Sequence, residues 1–393
     1  MKHVNSLFGQ VLSLISRTTF AKLVNKFESD RHSKGFTSWN QFVSMLFCQL
    51  AQAKSLREIC QGLRTCLGKL NHLGVARPPK RSTLAYANAN RPCELYREMF
   101  YELLEKCRSA APGKKGKFQF NNKLLSLDAT IIDLCETMYD WAKYQRGKGA
   151  VKLHLLLDHD GYLPVFARIT EGKEHEIHTA RGLDFPADSI LAMDAAYVDF
   201  ALFEKWSRAG VWFVTRLKDG IKFQLVEDRE PPQNRNIVTD QIIRLSSERG
   251  REACPRLLRR VVVWSEEKGR NITLLTNHLD FGASTISKIY KERWAIETFF
   301  RTLKQNLRVK TFVGTSANAL RIQIPAALIA MLLLKYMAFK STWGWALSNL
   351  VALLRWNLFT YRDLWAWVND PFETPPDPGP LRQVSLGFGQ QFA

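Results

Sequence analysis

Residues 290–304, YKERWAIETFFRTLK, set one carboxylate among cations. On a helix turning about 100° per residue, Tyr290, Arg293, Glu297, Arg301 and Lys304 fall within an arc of roughly 80°. Ile289, Ile296, Phe300, Leu303 and Leu307 form the neighbouring apolar stripe. One edge of this helix must therefore pack into a core, leaving the charged strip beside it. Two chemistries fit the strip. Arg293 at i−4 and Arg301 at i+4 can pair Glu297 on a solvated face. Alternatively, the cations grip phosphate oxygens and keep Glu297 ionised, so that it can ligate a metal.

A metal centre for phosphoryl transfer needs more oxygen ligands, because two divalent ions about 3.5–4 Å apart serve the attacking and leaving oxygens. Magnesium takes a few carboxylates and completes its shell with water and substrate phosphate. The candidates are aspartates within or ending apolar strands, where an unpaired charge is costly. Asp128 interrupts KLLSLDATIIDL, and Asp194 directly follows ILAM. Asp158 and Asp160 flank the turn LDHDGY and fit turn chemistry. Asp133 lies five residues from Asp128, on the opposite strand face, and Asp199 suits a helix cap before Phe200. Asp128 and Asp194 remain. His175 and His178 stand at i and i+3, but no cysteine or third histidine joins them at a metal-binding spacing.

These residues need elements to position them. The first 108 residues read as helical. An apolar-periodic segment at 39–52 follows Ser38, and Ser55 with Glu58 has capping-box spacing ahead of Ile59 and Leu63. A tight turn at Ala53–Lys54 between them suits a helix-turn-helix-like unit. Further helices are expected from about Ser82 and over 94–108. Arg31, His32, Lys34, Lys80 and Arg81 are placed for DNA contact. SAAPGKKGK at 109–117 has linker composition. Short apolar runs at 124–134, 151–157, 163–169, 190–193 and 211–215, with a helix over 200–209, predict a mixed α/β sheet. The polar stretch 218–256 reads as an insertion on that sheet, with strands resuming at 257–264 and 272–276. A strong helix over about 284–307 and helices at 319–340 and 345–358 follow. The Pro-rich tail past Asp370 is expected to be disordered.

The chain has 393 residues and 46% hydrophobic content, enough for two or three domains with a sizeable core. Its net charge of +19, with 37 acidic residues still present, indicates a basic globular protein with a polyanionic partner. Seven scattered cysteines form no CxxC pair and read as reduced thiols. The opening MKHVNSLFGQVLSLISRTTF lacks the pattern of an export signal. The longest apolar run, 326–334, is too short to span a bilayer and is expected to be a buried helix.

Tyr290, Arg293, Glu297 and Lys304 match the Tyr-(2)-Arg-(3)-Glu-(6)-Lys signature of cut-and-paste bacterial insertion-sequence transposases, which the chain resembles. LLTNH at 274–278 resembles the strand before that helix. Asp194-Ala-Ala-Tyr197 resembles the family's second catalytic aspartate motif, and SLDAT with Asp128 the first. Residues 32–63 and STLAYANANRP resemble a helical domain found at the front of one branch. The resemblance runs from about residue 30 to 340. It implies a helical DNA-binding domain (1–108), a linker (109–118) and an RNase H-like catalytic domain (119–318) with a β-rich insertion at about 218–270. A C-terminal helical region (319–370) and a tail (371–393) would complete the chain.

Asp128, Asp194 and Glu297 would be catalytic and would hold Mg²⁺ or Mn²⁺, two ions per site. Tyr290, Arg293, Arg301 and Lys304 would meet DNA phosphates. The substrate would be double-stranded DNA with terminal inverted repeats, cleaved and then transferred into target DNA by a homodimer. A bacterial cytoplasmic, nucleoid-associated setting with no membrane follows from the same resemblance. Hairpin-forming relatives can carry a base-stacking tryptophan where this chain has Ile272, and Trp264 on the preceding strand is the candidate to replace it. The alternatives are a non-catalytic DNA-binding descendant of a transposase and another RNase H-like nuclease.

Overall fold

A computed structural model describes residues 5–66, 68–112, 118, 120–134, 149–233, 236–309 and 312–372. Half of the expected linker (113–117) and nearly all of the expected tail (from 373) lie outside the described residues.

Among the described residues the strands form one nine-stranded sheet. They are β1 (Leu124–Leu134), β2 (Gly149–Asp158), β3 (Leu163–Glu171), β4 (Ile190–Met193), β5 (Trp212–Arg216), β6 (Phe223–Arg229), β7 (Ile237–Leu245), β8 (Leu258–Ser265) and β9 (Arg270–Thr276). Their order is β3-β2-β1-β4-β5-β9-β8-β7-β6. β1, β2 and β3 are antiparallel neighbours, whereas β4 runs parallel to β1 and β5 parallel to β4. The first five strands fall where the apolar runs predict them. The polar stretch read as an insertion is itself strand-forming: β6 and β7 extend the same sheet. A strand at a sheet edge buries little, so FQLVEDR is exposed along most of its length and carries no apolar run to announce it.

Helices cover both faces. The front of the chain folds as α1 (Leu7–Ser13), α2 (Arg17–Lys26), α3 (Ser38–Leu50), α4 (Leu56–Thr65), α5 (Arg81–Asn90) and α6 (Glu94–Ala110). Thr37, one residue earlier than expected, caps α3 by accepting from the Asn40 N–H. Ser55 caps α4 as predicted, while Glu58 accepts from the N–H of Lys54. All thirteen residues of α3 are buried, and α4 turns Arg57, Gln61 and Arg64 outward. Arg31, His32, Lys34, Lys80 and Arg81 are all exposed.

α7 (Glu176–Arg181) and α8 (Phe200–Arg208) follow strands β3 and β4, and α9 (Glu248–Ala253) separates β7 from β8. The single helix expected over 284–307 is two, α10 (Ala283–Glu292) and α11 (Trp294–Asn306), meeting at Arg293. The break has a structural cause. α10 packs Ala283, Ile286 and Ile289 into a core on the sheet. α11 packs Ile296, Phe299, Phe300 and Leu303 into a separate, helical core. One straight rod would have to serve both surfaces at once. At the junction the bonds tighten to three-residue spacing, Arg293 N–H to the Tyr290 carbonyl and Ile296 N–H to that of Arg293.

That helical core is centred on α12 (Ala317–Lys340), with α13 (Leu347–Asn357) and α14 (Leu364–Asn369) beside it. By length and apolar composition α12 is able to cross a membrane, but 78% of its most apolar window is buried inside the protein. The expected apolar run forms its centre. Helices from the front of the chain, those from its end, and one face of β2 and β3 all share this core.

The added strands are tied to the approach to α10 by a buried ion pair. Arg259 on β8 grips Asp240 on β7 at 2.6 Å, both side chains being almost fully buried. The same guanidinium donates to the carbonyls of Leu279 and Phe281, just before α10. A buried charge stripped of its partner is strongly destabilising, so Asp240→Ala should lower the unfolding free energy by about 3–5 kcal/mol. The exposed pair Arg229–Glu227 sets the comparison: in urea denaturation Glu227→Ala should cost under about 1 kcal/mol. Equal effects would refute the anchoring role.

Candidate active site

The parallel pairing of β1 and β4 ends at Leu127 opposite Met193. Asp128 and Asp194 are the next residue on each strand. Paired strands lie about 4.8 Å apart, so the two residues occupy neighbouring positions, Asp128 within β1 and Asp194 just past the end of β4. Backbone capping fixes each one. Asp128 accepts from the N–H of Ala129 at 2.8 Å and Asp194 from that of Ala195 at 2.5 Å, opening a single 3₁₀ turn over Ala195–Tyr197. Thr215 on β5 donates to the Asp194 carbonyl.

Glu297 reaches this pair through Arg293. The guanidinium, 8% exposed, contacts Asp128 at 3.3 Å through Nη1 and Glu297 at 2.5 Å through Nη2. Glu297 sits in the first turn of α11, where the helix dipole favours a negative charge. Arg293 thus joins two of the three expected acids, Asp128 and Glu297, while the third, Asp194, has Arg216 on β5 at 3.7 Å. Burial pushes the Asp128 carboxyl up to about 7, although the Ala129 N–H and Arg293 draw it down.

The remaining expected residues divide by exposure. Arg293 is internal, its charge held by two acids instead of facing solvent. Lys304 donates to the Thr130 hydroxyl and the Ile131 carbonyl, both at 2.7 Å, clamping α11 to β1. Tyr290 is half-buried below the Arg293 guanidinium. Arg301 faces outward, and Trp264 on β8 is 43% exposed. Ile272 on β9 packs against the sheet core. Asp158 accepts from the N–H of Asp160 and pairs with Lys123, as a turn residue would. Asp199 caps α8 through the Leu202 N–H. His175 caps α7 through the Ile177 N–H.

LLTNH has a physical role here. Asn277 accepts from the Phe213 N–H and donates to the Ser207 hydroxyl and the Val211 carbonyl. His278 stacks on Phe281 at 3.6 Å. These contacts fix the loop that aims α10, and with it Arg293.

Three neighbours of the centre carry no sequence signal that singles them out. Arg216 ends β5. Glu176 opens α7 from the polar run EGKEHEIHT, and Lys152 on β2 pairs with it at 3.4 Å. They enter the site only through the packing of strands and helices distant in the chain.

The donor set fits a divalent cation. It is all oxygen, and a cation already bridges two of its members, the Arg293 guanidinium between Asp128 and Glu297. Among the described residues no three His, Cys, Asp or Glu side chains are grouped tightly enough to share one ion. Carboxylates repel one another, and here each acid is held by a basic side chain.

Residues 120–333 match the family profile described as "Transposase DDE domain". Residues 3–76 match a domain of unknown function, DUF4372. The chain is 30% identical over 306 residues to a putative transposase, y4zB, of Sinorhizobium fredii, covering 77% of this chain and 82% of that one. It is 29% identical over 259 residues to a probable transposase for insertion sequence element IS5377 of Geobacillus stearothermophilus, covering 65% and 67%. A putative transposase for insertion sequence element IS4SA of Synechocystis is 21% identical over 273 residues, covering 67% and 73%.

The environment of Asp128 makes a pH prediction. Its folded-state value of about 7 exceeds the ordinary 3.8, so between those values the folded chain holds a proton that the unfolded chain releases. Its contribution to stability therefore falls as pH rises through that window and levels off above it. In metal-free buffer, the unfolding free energy of wild type minus that of Asp128→Asn should decline from pH 3.8 to about 7. A flat or rising difference would contradict the burial argument.

Proposed function

We propose, given that this chain belongs to the DDE transposase-domain family, that Asp128, Asp194 and Glu297 are its catalytic acids and that it cuts and joins the DNA ends of an insertion sequence. The observation that carries the proposal is the linked cluster. Two aspartates leave adjoining positions on parallel strands, and Arg293 couples one of them to Glu297. The strand order β3-β2-β1-β4-β5, with β2 antiparallel to β1, supports an RNase H-like reading of the catalytic domain. β6, β7 and β8 then occupy the place of the β-rich insertion, and the helical front of the chain is the DNA-binding part.

Asp128, Asp194 and Glu297 would hold Mg²⁺ or Mn²⁺, two ions per site, whose chemistry is to activate the attacking oxygen and stabilise the leaving one. The protein's own part is positioning. Lys304 fixes α11 against β1, so that Glu297 stays beside the strand ends. Arg293 holds Asp128 and Glu297 by charge. Arg301 and the exposed cations of the front helices are available for phosphates, and the net charge of +19 favours duplex DNA as partner. Water attacks one strand, and the freed 3′ hydroxyl attacks the opposite strand to close a hairpin. Trp264, exposed on β8, supports this hairpin-forming subfamily as the residue for base stacking. Pairing two ends calls for a homodimer.

Incubation with duplex terminal inverted-repeat DNA and Mg²⁺ or Mn²⁺ tests the reading. Wild type should cleave, with hairpin ends resolved on denaturing gels. Asp194→Asn should abolish cleavage while retaining most DNA affinity, which phosphate contacts dominate. Cleavage by Asp194→Asn would remove that residue from the centre. Wild-type binding without cleavage under either metal would identify a non-catalytic DNA-binding descendant.

A further inference from the structure

Lys335, on α12, is 7% exposed, yet among the described residues no acid pairs with its ammonium. One of its three N–H groups donates to the carbonyl of Gly161 at 3.0 Å. The Phe339 ring lies 5.8 Å away. The titratable neighbour that acts on it, the Cys107 thiol, is itself pushed up to about 12 by burial and is neutral. Burial draws the ammonium down to about 8, so it still carries its proton at neutral pH. A buried cation without a counter-charge is costly, and a methionine would fill similar space without that cost.

The ammonium has open space beside it. Lys335 lines a groove of about 570 Å³ and is the most deeply buried polar side chain there. Trp294 and Thr298 of α11 form one wall, and Lys291, Tyr162 and Leu347 stand around the rest. The turn between β2 and β3 meets the groove in a constrained conformation. Gly161 and Tyr162 both take positive φ, 77° and 53°, which is rare for a bulky side chain. A Cβ at Gly161 would sit 3.1 Å from Phe339. This turn presents the Gly161 carbonyl to Lys335 and the Tyr162 side chain to the groove. Two acids also line it, Glu267 and Glu292. Glu267 is exposed in the turn after β8, and Glu292 faces His159 at 3.8 Å. Against them stand Lys335, the exposed Lys291, and Lys268, which lies 5.5 Å from the Trp294 ring.

We propose that this groove is a phosphate-binding subsite, with Lys335 as the charge that holds the phosphate. Lysine binds phosphate as a point charge, and two N–H groups of this one are left over after Gly161. A DNA strand and a free phosphate compound offer the same chemistry. The groove's position favours the strand, and that part rests on the reading of Asp128, Asp194 and Glu297 as the catalytic acids. Trp294 and Thr298 directly follow Arg293 and Glu297 in the chain, so a strand engaged at the acids has the groove beside it.

Calorimetric titration of the full-length protein with inorganic phosphate at millimolar concentration, without DNA or metal, tests the subsite. Wild type should bind one phosphate per chain. Lys335→Met should weaken that binding about tenfold or more, the worth of one charge-assisted hydrogen bond. In phosphate-free buffer the same substitution should leave the melting temperature unchanged or raise it, because a buried unpaired charge is removed. A lysine that only ties α12 to Gly161 gives the reverse, a lower melting temperature with wild-type phosphate affinity, and that result would overturn the proposal. So would absence of saturable phosphate binding by wild type, or acetate binding as tightly as phosphate. Should Lys335→Met not fold, Leu347→Glu sets a carboxylate in the groove at the first residue of α13, where a helix tolerates an acid, and it must weaken phosphate binding. Duplex DNA binding at several salt concentrations separates the two sources. A DNA phosphate in the groove predicts that Lys335→Met lowers the slope of log affinity against log salt by about 0.9. An unchanged slope with phosphate binding lost assigns the subsite to a free phosphate compound. The phosphate titration needs neither metal nor cleavage, so cleavage by Asp194→Asn would remove the catalytic reading and leave the phosphate result standing.

Discussion

The Arg293 guanidinium is the interaction on which the centre depends. A buried cation is tolerable only with close, well-placed counter-charges, and this one has two, Asp128 from β1 and Glu297 from α11. The constraint acts in both directions. Without Arg293, a buried aspartate and a glutamate would face each other uncompensated; without them, Arg293 has no reason to be internal. Its place in the chain has the same logic. Arg293 sits where α10 leaves the core on the sheet and α11 enters the helical core, so the ion bridge fixes the angle between two independently packed helices. Lys304, about three turns further on near the end of α11, adds a second tie to β1.

The extended sheet serves that junction. β6 to β9 lengthen the sheet beyond β5, and Arg229 and Arg259 reach from them to the carbonyls of the segment entering α10. Asn277 satisfies backbone groups on the other side of the same segment. The insertion thus holds the approach to Arg293 from one side while the sheet holds it from the other. A loop crossing a sheet edge leaves several backbone groups unpaired, and these arginine and asparagine side chains supply the missing partners.

α12 plays the corresponding part for the helices. Its apolar surface is buried on nearly every side, by helices from the front of the chain, by those after it, and by one face of β2 and β3. Its burial explains why a helix of membrane-spanning length and composition belongs to a globular core. It also brings the front helices, with their exposed Arg31, His32, Lys34, Lys80 and Arg81, into fixed relation to the sheet that carries the acids. Those exposed cations add to the positive field that the chain presents.

Much of this was legible in the sequence because the signals are local. Apolar runs bounded by turn residues located β1 to β5, the Ser55 cap located α4, and helical spacing put Arg293 within reach of Glu297. Elimination among aspartates left Asp128 and Asp194, whose strand positions follow from the residues around them. The break at Arg293 was not legible, because both halves keep helical periodicity and only the two cores they enter require the bend. β6 was hidden because an edge strand needs no continuous apolar run. Nor does spacing reveal that Arg293 is internal, or that Arg216 lies beside Asp194. Those residues come from separate strands and turns, and their proximity is created by sheet order and helix packing. The sequence determined which side chains carry charge and what elements bear them; the tertiary structure decided which charges neutralise each other, since that depends on distances no local pattern encodes.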